Sequence, residues 1–241
     1  MLLRRTTGYL FILAAIAFGA AASALSASFD WPDILREPAE IVLPAFSAGG
    51  TSLIWTWFAT AWTYALLAIP ILLLPWAIDR RHDPLVKVAT WLGAASVLLS
   101  AIGFLRWVFV VPALARSYAD GDANTRTAVE AAWTAQHQFG GALLGEHLGQ
   151  LLAIAWSVGV SVALLRTTVR SRRWVGIAGL VASALYLLNQ GDVLATAIPS
   201  FPVWELAGLV GSTAWGVWTI ALGVTILRHT DDLQHSVDHA E

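Results

Sequence analysis

Seven polar side chains interrupt stretches of the sequence that are otherwise apolar, and their types suit the binding of a ligand. They come from four separate apolar segments: Arg106, Glu146, His147, Gln150, Asn189, Asp192 and Glu205. An arginine would anchor a carboxylate or phosphate headgroup, and the adjacent carboxylate and imidazole would supply pH-dependent hydrogen bonds. The set predicts a pocket for a lipid or a small anionic amphiphile.

The depth of these residues along their segments favours a shared pocket. Each lies about 20 residues from the basic end of its segment, which is the length that crosses the hydrocarbon of a bilayer. Ionisable residues in membrane spans usually face the bundle interior, so we expect a pocket that opens outward. The alternative is an interfacial band, in which the charged groups reach the headgroups beside a tryptophan belt made of Trp55, Trp57, Trp107 and Trp204.

A metal site is a second interpretation of the same residues. Imidazole and carboxylate ligands that a zinc ion accepts are present at His147, Glu146, Asp192 and His137. Such a site would lower the pKa of a bound water and hydrolyse a lipid ester or amide. The sequence has neither the H-x-x-x-H nor the H-E-x-x-H spacing, so the binding pocket remains the favoured interpretation. A structural or accessory subunit without a ligand is the third interpretation.

Other chemistries find little support in the residues present. A haem held by two histidines is unlikely to be the cofactor, because only His147 lies within the membrane thickness. The absence of cysteine excludes disulfides and thiolate catalysis, and no G-x-S-x-G or P-loop pattern occurs. The net charge of −2 offers no basic field, so we expect membrane lipids and no nucleic acid among the partners.

Composition and hydropathy place these residues in a membrane protein. Of 241 residues, 57% are hydrophobic and only 12% are charged, about half the charged fraction of a soluble domain. Six segments are long and apolar enough to span a bilayer, at residues 8–28, 52–78, 85–112, 133–165, 174–198 and 204–227. We therefore expect an all-α polytopic bundle, with a single six-span domain at residues 1–228 and a disordered cytoplasmic tail at residues 229–241.

The distribution of basic residues predicts the orientation of this bundle. Positive loops stay in the cytoplasm, and ten of the 14 basic residues fall on one side of the six spans: Arg4, Arg5, Arg80, Arg81, Lys87, Arg166, Arg170, Arg172, Arg173 and Arg228. Both termini are therefore expected in the cytoplasm. The first segment also resembles a secretory signal, with Ala22 and Ala24 in an A-x-A site. It is longer than such a signal's apolar region, so we expect a retained span.

Glycines on the fourth span indicate how its polar residues are oriented. Gly141, Gly145 and Gly149 recur at every fourth position, which lets a neighbouring backbone approach closely. On an α-helix, Glu146, His147 and Gln150 would form one arc beside this stripe. A helix packed through its glycines would turn that arc partly into the bundle.

Three stretches of the chain resemble a known family. They are residues 4–12 (RRTTGYLFI), residues 171–179 (SRRWVGIAG), and the final helix with PVWEL at 202–206 and AWGVW at 214–218. These motifs are similar to those of a bacterial integral-membrane family of unknown function, the domain of unknown function 4386 type. The resemblance covers most of the chain and implies six spans in the bacterial inner membrane. It implies no activity.

Overall fold

The protein is almost entirely helical. It is described by a computed structural model, which gives the backbone of residues 1–238 and the side chains of residues 1–228. In it, 86% of the chain is helical, and the described residues form no strand. Six segments are long and apolar enough to cross a membrane: Leu2–Phe29, Ala39–Ala77, Pro84–Asp120, Ala123–Leu165, Arg170–Ala195 and Ala207–Arg228. The predicted all-α membrane fold is confirmed.

Short breaks divide these spans into smaller helices. In chain order they are α1 (Leu2–Phe29), a 3-10 helix (Asp33–Arg36), α2 (Ala39–Ala65), α3 (Ala68–Ala77), α4 (Pro84–Phe109), α5 (Val111–Asp120), α6 (Ala123–Gln136), a π-helix (His137–Leu148), α7 (Gly149–Leu165), α8 (Arg170–Leu188), α9 (Gln190–Ala195) and α10 (Ala207–Asp238). Residues 30–38, which join α1 to α2, are called the distal loop below.

The two ends of the bundle have different ion pairs. The six spans alternate in direction, so the first span begins and the sixth span finishes at the same end of the bundle. We call this end the terminal end. There Arg4 pairs with Asp79, and a guanidinium nitrogen of Arg166 lies 3.9 Å from a carboxylate oxygen of Asp83. The opposite end, which carries the distal loop, is called the distal end.

The second span is longer than its hydropathy predicts. It begins at Ala39 rather than near residue 52, because α2 extends into the segment before it. Gly50 has φ 57 and ψ −152, a conformation that costs glycine little and that side chains with a Cβ avoid. The chain therefore bends at Gly50 and brings the start of α2 over the distal end.

The fourth span begins earlier than its hydropathy predicts, at Ala123 rather than at residue 133. Asp122 caps α6, and its carboxylate accepts a hydrogen bond from the backbone N–H of Thr125 at 2.9 Å. That bond lowers the pKa of Asp122, because it stabilises the ionised carboxylate. The helix then continues into the membrane span.

Two hydrophobic clusters hold the bundle together. One surrounds Trp156, Trp215 and Trp218 toward the terminal end. The other, toward the distal end, includes Trp57 and Trp107, whose rings are stacked with centroids 4.6 Å apart. Both tryptophans are at most 1% exposed, so their assignment to an interfacial belt is wrong: they pack in the core because each lies on the inner face of its helix.

The last helix extends beyond the membrane span. Its backbone is helical to Asp238, through most of the segment that the sequence predicts to be a disordered tail. Residues 239–241 of that tail lie outside the described residues.

Candidate functional site

A π-helix carries part of the polar cluster. Residues His137–Leu148 form it, with the wider i→i+5 hydrogen bonding that usually occurs as single turns at functional sites. The sequence predicts a continuous α-helix here, and that prediction is wrong for these twelve residues. Three glycines within the segment, at positions 140, 141 and 145, leave its surface without side chains where a neighbouring helix packs.

The neighbouring helix is α4, and the glycines bring its backbone very close. A Cβ added to Gly145 would lie 2.9 Å from the Cα of Gly103 on α4. One turn of helix further, the hydroxyl of Ser96 donates to the carbonyl oxygen of Gly149 at 2.7 Å. The predicted close approach of another backbone is thus seen at Gly145, whereas at Gly141 and Gly149 the nearest atoms of α4 belong to the side chains of Arg106 and Ser100.

Arg106 enters the bundle through the same contact. Its side chain passes over Gly141, where a Cβ would lie 1.7 Å from Nη1. Nη1 donates to the carbonyl oxygen of His137 at 3.1 Å, and the guanidinium lies 5.3 Å from the ring centroid of Trp107. Arg106 is only 7% exposed, yet its Nε has no hydrogen-bond partner.

The carboxylates of the cluster pair with a different arginine. Nη2 of Arg36, in the distal loop, lies 2.6 Å from Oε2 of Glu146 and 2.6 Å from Oδ2 of Asp192. Arg106 does not pair with these acids, because its guanidinium bonds instead to the π-helix backbone. Glu146 keeps its second oxygen, Oε1, buried and without a hydrogen-bond partner.

Arg36 is the functional residue that the sequence pattern missed. Burial acts to lower the pKa of its guanidinium, but the two carboxylates act more strongly together and raise that pKa above its ordinary value. The only signal in the sequence was one basic residue among the acids of the distal loop and the start of α2, Asp30, Asp33, Glu37 and Glu40.

A chain of hydrogen bonds joins the fourth and fifth spans behind these acids. Nδ1 of His147 lies 2.7 Å from Oε1 of Gln190, and because an amide oxygen only accepts, Nδ1 carries the proton. The amide of Gln190 donates to Oε1 of Gln150 at 2.7 Å. Asn189 donates to the same oxygen at 3.1 Å. Gln190, 6% exposed, is thus a central member that the predicted set lacked.

The break between α8 and α9 turns these amides inward. Helix α8 ends at Leu188 and α9 begins at Gln190, so Asn189 and Gln190 leave the regular helical register at the level of the polar cluster. Gln190 faces the fourth span, while Asp192 reaches the distal loop and Arg36.

His137 fastens the distal loop to the π-helix. Its Nε2 lies 2.9 Å from the carbonyl oxygen of Leu35, which makes Nε2 the donor. Its ring stacks on Trp133 with centroids 4.9 Å apart. Glu205 takes no part in the cluster: it is exposed, and it has no ion pair with any described residue.

The four candidate metal ligands do not converge. Glu146 and Asp192 share Arg36, His137 bonds to the distal loop, and His147 bonds to Gln190. Among the residues whose placement is described, no group of three or more histidine, aspartate or glutamate side chains is arranged to hold a metal ion.

A cavity of about 130 Å³ lies at the centre of the bundle. Three of the predicted residues, Arg106, Glu146 and Gln150, line it on one side. Its other walls are largely apolar and aromatic, with Phe18, Trp57, Tyr64, Tyr186 and Trp215 among them. Trp31 and Leu35 of the distal loop lie over its distal end.

Residues 6–223 match the family described as Domain of unknown function (DUF4386). The chain belongs to this family. The match confirms the resemblance seen in the sequence motifs, and the six apolar helices agree with a DUF4386 membrane protein. No curated protein matches the chain, and no solved structure does. The function of this DUF4386 protein is therefore inferred from its own residues.

Proposed function

We propose that this DUF4386 protein binds an amphiphile with one apolar chain and an anionic headgroup in the central cavity. The observation that carries the proposal is Arg106, a buried cation with an unpartnered Nε on the wall of a largely apolar cavity. A ligand carboxylate or phosphate is the group that such a cation lacks.

The energetics of burial support this choice of headgroup. An ionised group removed from water is unfavourable unless it is paired and hydrogen-bonded. Among the described residues, no acid lies within ion-pair distance of Arg106, since Glu146 and Asp192 bind Arg36. A ligand anion would form charge-assisted hydrogen bonds with the guanidinium, which are about twice as strong as neutral ones.

The remaining polar groups of the cavity define the headgroup further. Glu146 has a free acceptor in Oε1. Gln150 uses its oxygen to accept from Asn189 and Gln190, which leaves its amide nitrogen to donate. The anionic headgroup would accept hydrogen bonds from Arg106 and from the amide of Gln150, and Oε1 of Glu146 would accept one from any hydroxyl that the ligand carries.

The volume of the cavity limits the size of the apolar part. A cavity of about 130 Å³ is close to the roughly 150 Å³ that holds a molecule of benzene in an engineered protein core. It accommodates a headgroup with the first part of one chain, and a two-chain phospholipid is too large for it. The proposed ligand is therefore a fatty acid or a similar single-chain acid.

We place the protein in the bacterial cytoplasmic membrane with both termini in the cytoplasm. The support is the excess of lysine and arginine at the terminal end, which follows the positive-inside pattern. The distal loop, Arg36 and the polar side of the cavity would then lie toward the outer leaflet, and the ligand would be bound from that side of the membrane.

Native mass spectrometry of the gently solubilised protein tests the proposal. We expect a discrete mass above that of the bare chain, equal to one single-chain acid, and its loss in Arg106→Met. Arg116→Met, an exposed arginine on α5, is the matched control and should keep the added mass. A bare chain after incubation with dodecanoic acid would contradict the proposal and favour a structural subunit. A retained divalent ion would favour the hydrolase.

A further inference from the structure

Helices α1 and α10 touch closely near the terminal end of the bundle. A Cβ added to Gly8 would lie 2.9 Å from the carbonyl oxygen of Gly223, and one added to Gly223 would lie 2.7 Å from the carbonyl oxygen of Gly8. Phe11 and Ile12 also contact Gly223. No space for a lipid chain exists between the two helices at this level.

The same two helices leave a gap further toward the distal end. Ala15 follows Gly8 by seven residues, and Gly216 precedes Gly223 by seven, so both lie about 10 Å from the close contact along antiparallel helices. At Gly216, which lines the cavity, an added Cβ would meet no atom within 4 Å. Small residues therefore flank an open space in the distal half.

This gap is continuous with the central cavity. Ala15 and Phe18 of α1 and Ser212 and Gly216 of α10 line that cavity, and Ser212 is also exposed on the lateral surface of the bundle. The cavity beside Arg106 thus reaches between these two helices, at a level where the surrounding medium of a membrane protein is lipid.

The route through the distal end is obstructed. Trp31 and Leu35 of the distal loop cover the cavity there. Leu35 is held in place by the hydrogen bond that its carbonyl oxygen accepts from Nε2 of His137. Next to them, Arg36 joins Glu146 to Asp192. A ligand from the aqueous phase would have to break these contacts, whereas a ligand dissolved in the bilayer would not.

We infer that the single-chain acid enters laterally from the membrane, through the gap between α1 and α10, and that its chain continues to occupy this gap when bound. The inference rests on the proposed function. It also explains how a cavity of about 130 Å³ serves a longer chain: the headgroup reaches Arg106, and the end of the chain remains in the lipid. The ligand class is thereby restricted to acids that partition into the bilayer.

Photo-crosslinking in phosphatidylcholine vesicles tests the route. The probe is dodecanoic acid with a diazirine in mid-chain, illuminated at increasing delays after mixing. Adducts on Trp57, which is buried and lines the cavity, report occupancy. Adducts on Trp91, which is 74% exposed, report the amount of probe in the lipid phase. The gap is closed with Gly216→Trp, and the matched control is Val217→Trp, at a neighbouring position that is 61% exposed.

We expect Gly216→Trp to slow both the rise of Trp57 labelling with delay and its decline when illumination follows a chase with unlabelled acid, each by about tenfold, a factor that corresponds to 1.4 kcal/mol in a barrier. Val217→Trp should leave both rates unchanged. Slower entry together with slower release identifies a blocked route, whereas a site damaged by the new side chain would lose the acid faster.

Two results overturn the inference, and they differ. If Trp57 is labelled at the same rate in the wild type and in Gly216→Trp, the lateral route is wrong while the proposed function stands. If wild-type Trp57 receives no adduct at any delay while Trp91 does, the cavity binds no such acid, and the proposed function fails together with the route.

Discussion

The guanidinium of Arg106 fills the space that a side chain at Gly141 would need. A Cβ at position 141 would lie 1.7 Å from Nη1 of Arg106 and 2.3 Å from its Cζ, so the guanidinium reaches the centre of the bundle only because residue 141 has no side chain. The glycine stripe of the fourth span thereby does more than pack two helices: at this position it admits the cation on which the proposed binding depends.

Gly141→Ala tests this relationship. The added methyl group would displace the guanidinium of Arg106 from the cavity, and we expect affinity for dodecanoic acid to fall by about tenfold or more, equivalent to about 1.4 kcal/mol. Gly140→Ala is the control, because a Cβ there would lie 3.8 Å from Cδ of Arg106, an ordinary contact. Binding is measured on detergent-solubilised protein, and equal affinity in the two variants would contradict the role of Gly141.

Arg36→Ala tests the ion pairs that hold the distal loop. The substitution leaves the carboxylates of Glu146 and Asp192 without their cation, and their side chains are only 16% and 34% exposed. Hydrogen bonds to charged groups contribute about 1.5–3 kcal/mol, and partial exposure reduces this, so we expect the free energy of unfolding to fall by about 1–2 kcal/mol. Denaturant unfolding followed by tryptophan fluorescence measures it.

Two further variants make the Arg36 result specific. Arg36→Lys keeps the charge but loses the planar fork that reaches both acids, and it should lie between wild type and Arg36→Ala. Arg116→Ala, at an exposed position of α5, should be neutral. Stability unchanged in Arg36→Ala would mean that the three charges are already solvated in the native protein.

Gln190→Leu tests the hydrogen-bond chain between the fourth and fifth spans. It removes the acceptor of His147 and one donor to Gln150, and a buried group left unsatisfied costs about 1–3 kcal/mol. Gln138→Leu, at an exposed position, is the control and should change stability little. A Gln190→Leu protein as stable as wild type would show that the chain contributes nothing to the association of these spans.

The orientation is testable because the native chain contains no cysteine. We expect Asp33→Cys, in the exposed part of the distal loop, to react with a membrane-impermeant maleimide in intact cells. His82→Cys, exposed at the terminal end, should react only after the cells are opened. The reverse pattern would place the distal loop in the cytoplasm and contradict the proposed topology.

The number and nature of the spans were predictable because hydropathy is a local property of the sequence, and the close packing at Gly145 followed from the spacing of glycines. The positions of Arg106 and Arg36 were not. Both arginines were available to balance Glu146, and the choice depends on where the distal loop folds over the bundle, which no local pattern encodes.

The π-helix is the second reason that the site differs from its prediction. Its wider turn changes the angular relationship between Glu146, His147 and Gln150, so a projection with α-helical spacing cannot say which of them faces the cavity. In the structure Glu146 and Gln150 line the cavity, while His147 forms a hydrogen bond with Gln190. Glu205 could not be separated from the cluster by depth alone, because depth contains no information about the direction of a side chain.

The proposed role of Arg106 is to bind the anionic headgroup of a single-chain amphiphile, and two ligands that share one alkyl chain but differ in headgroup test it. The affinities of dodecanoic acid and dodecan-1-ol are measured for the wild-type protein and for Arg106→Met. We expect the wild type to prefer the acid by about tenfold or more, and we expect Arg106→Met to lose this preference while it still binds the alcohol. Equal affinity of the wild type for the two ligands, or a preference for the acid that survives in Arg106→Met, would contradict it.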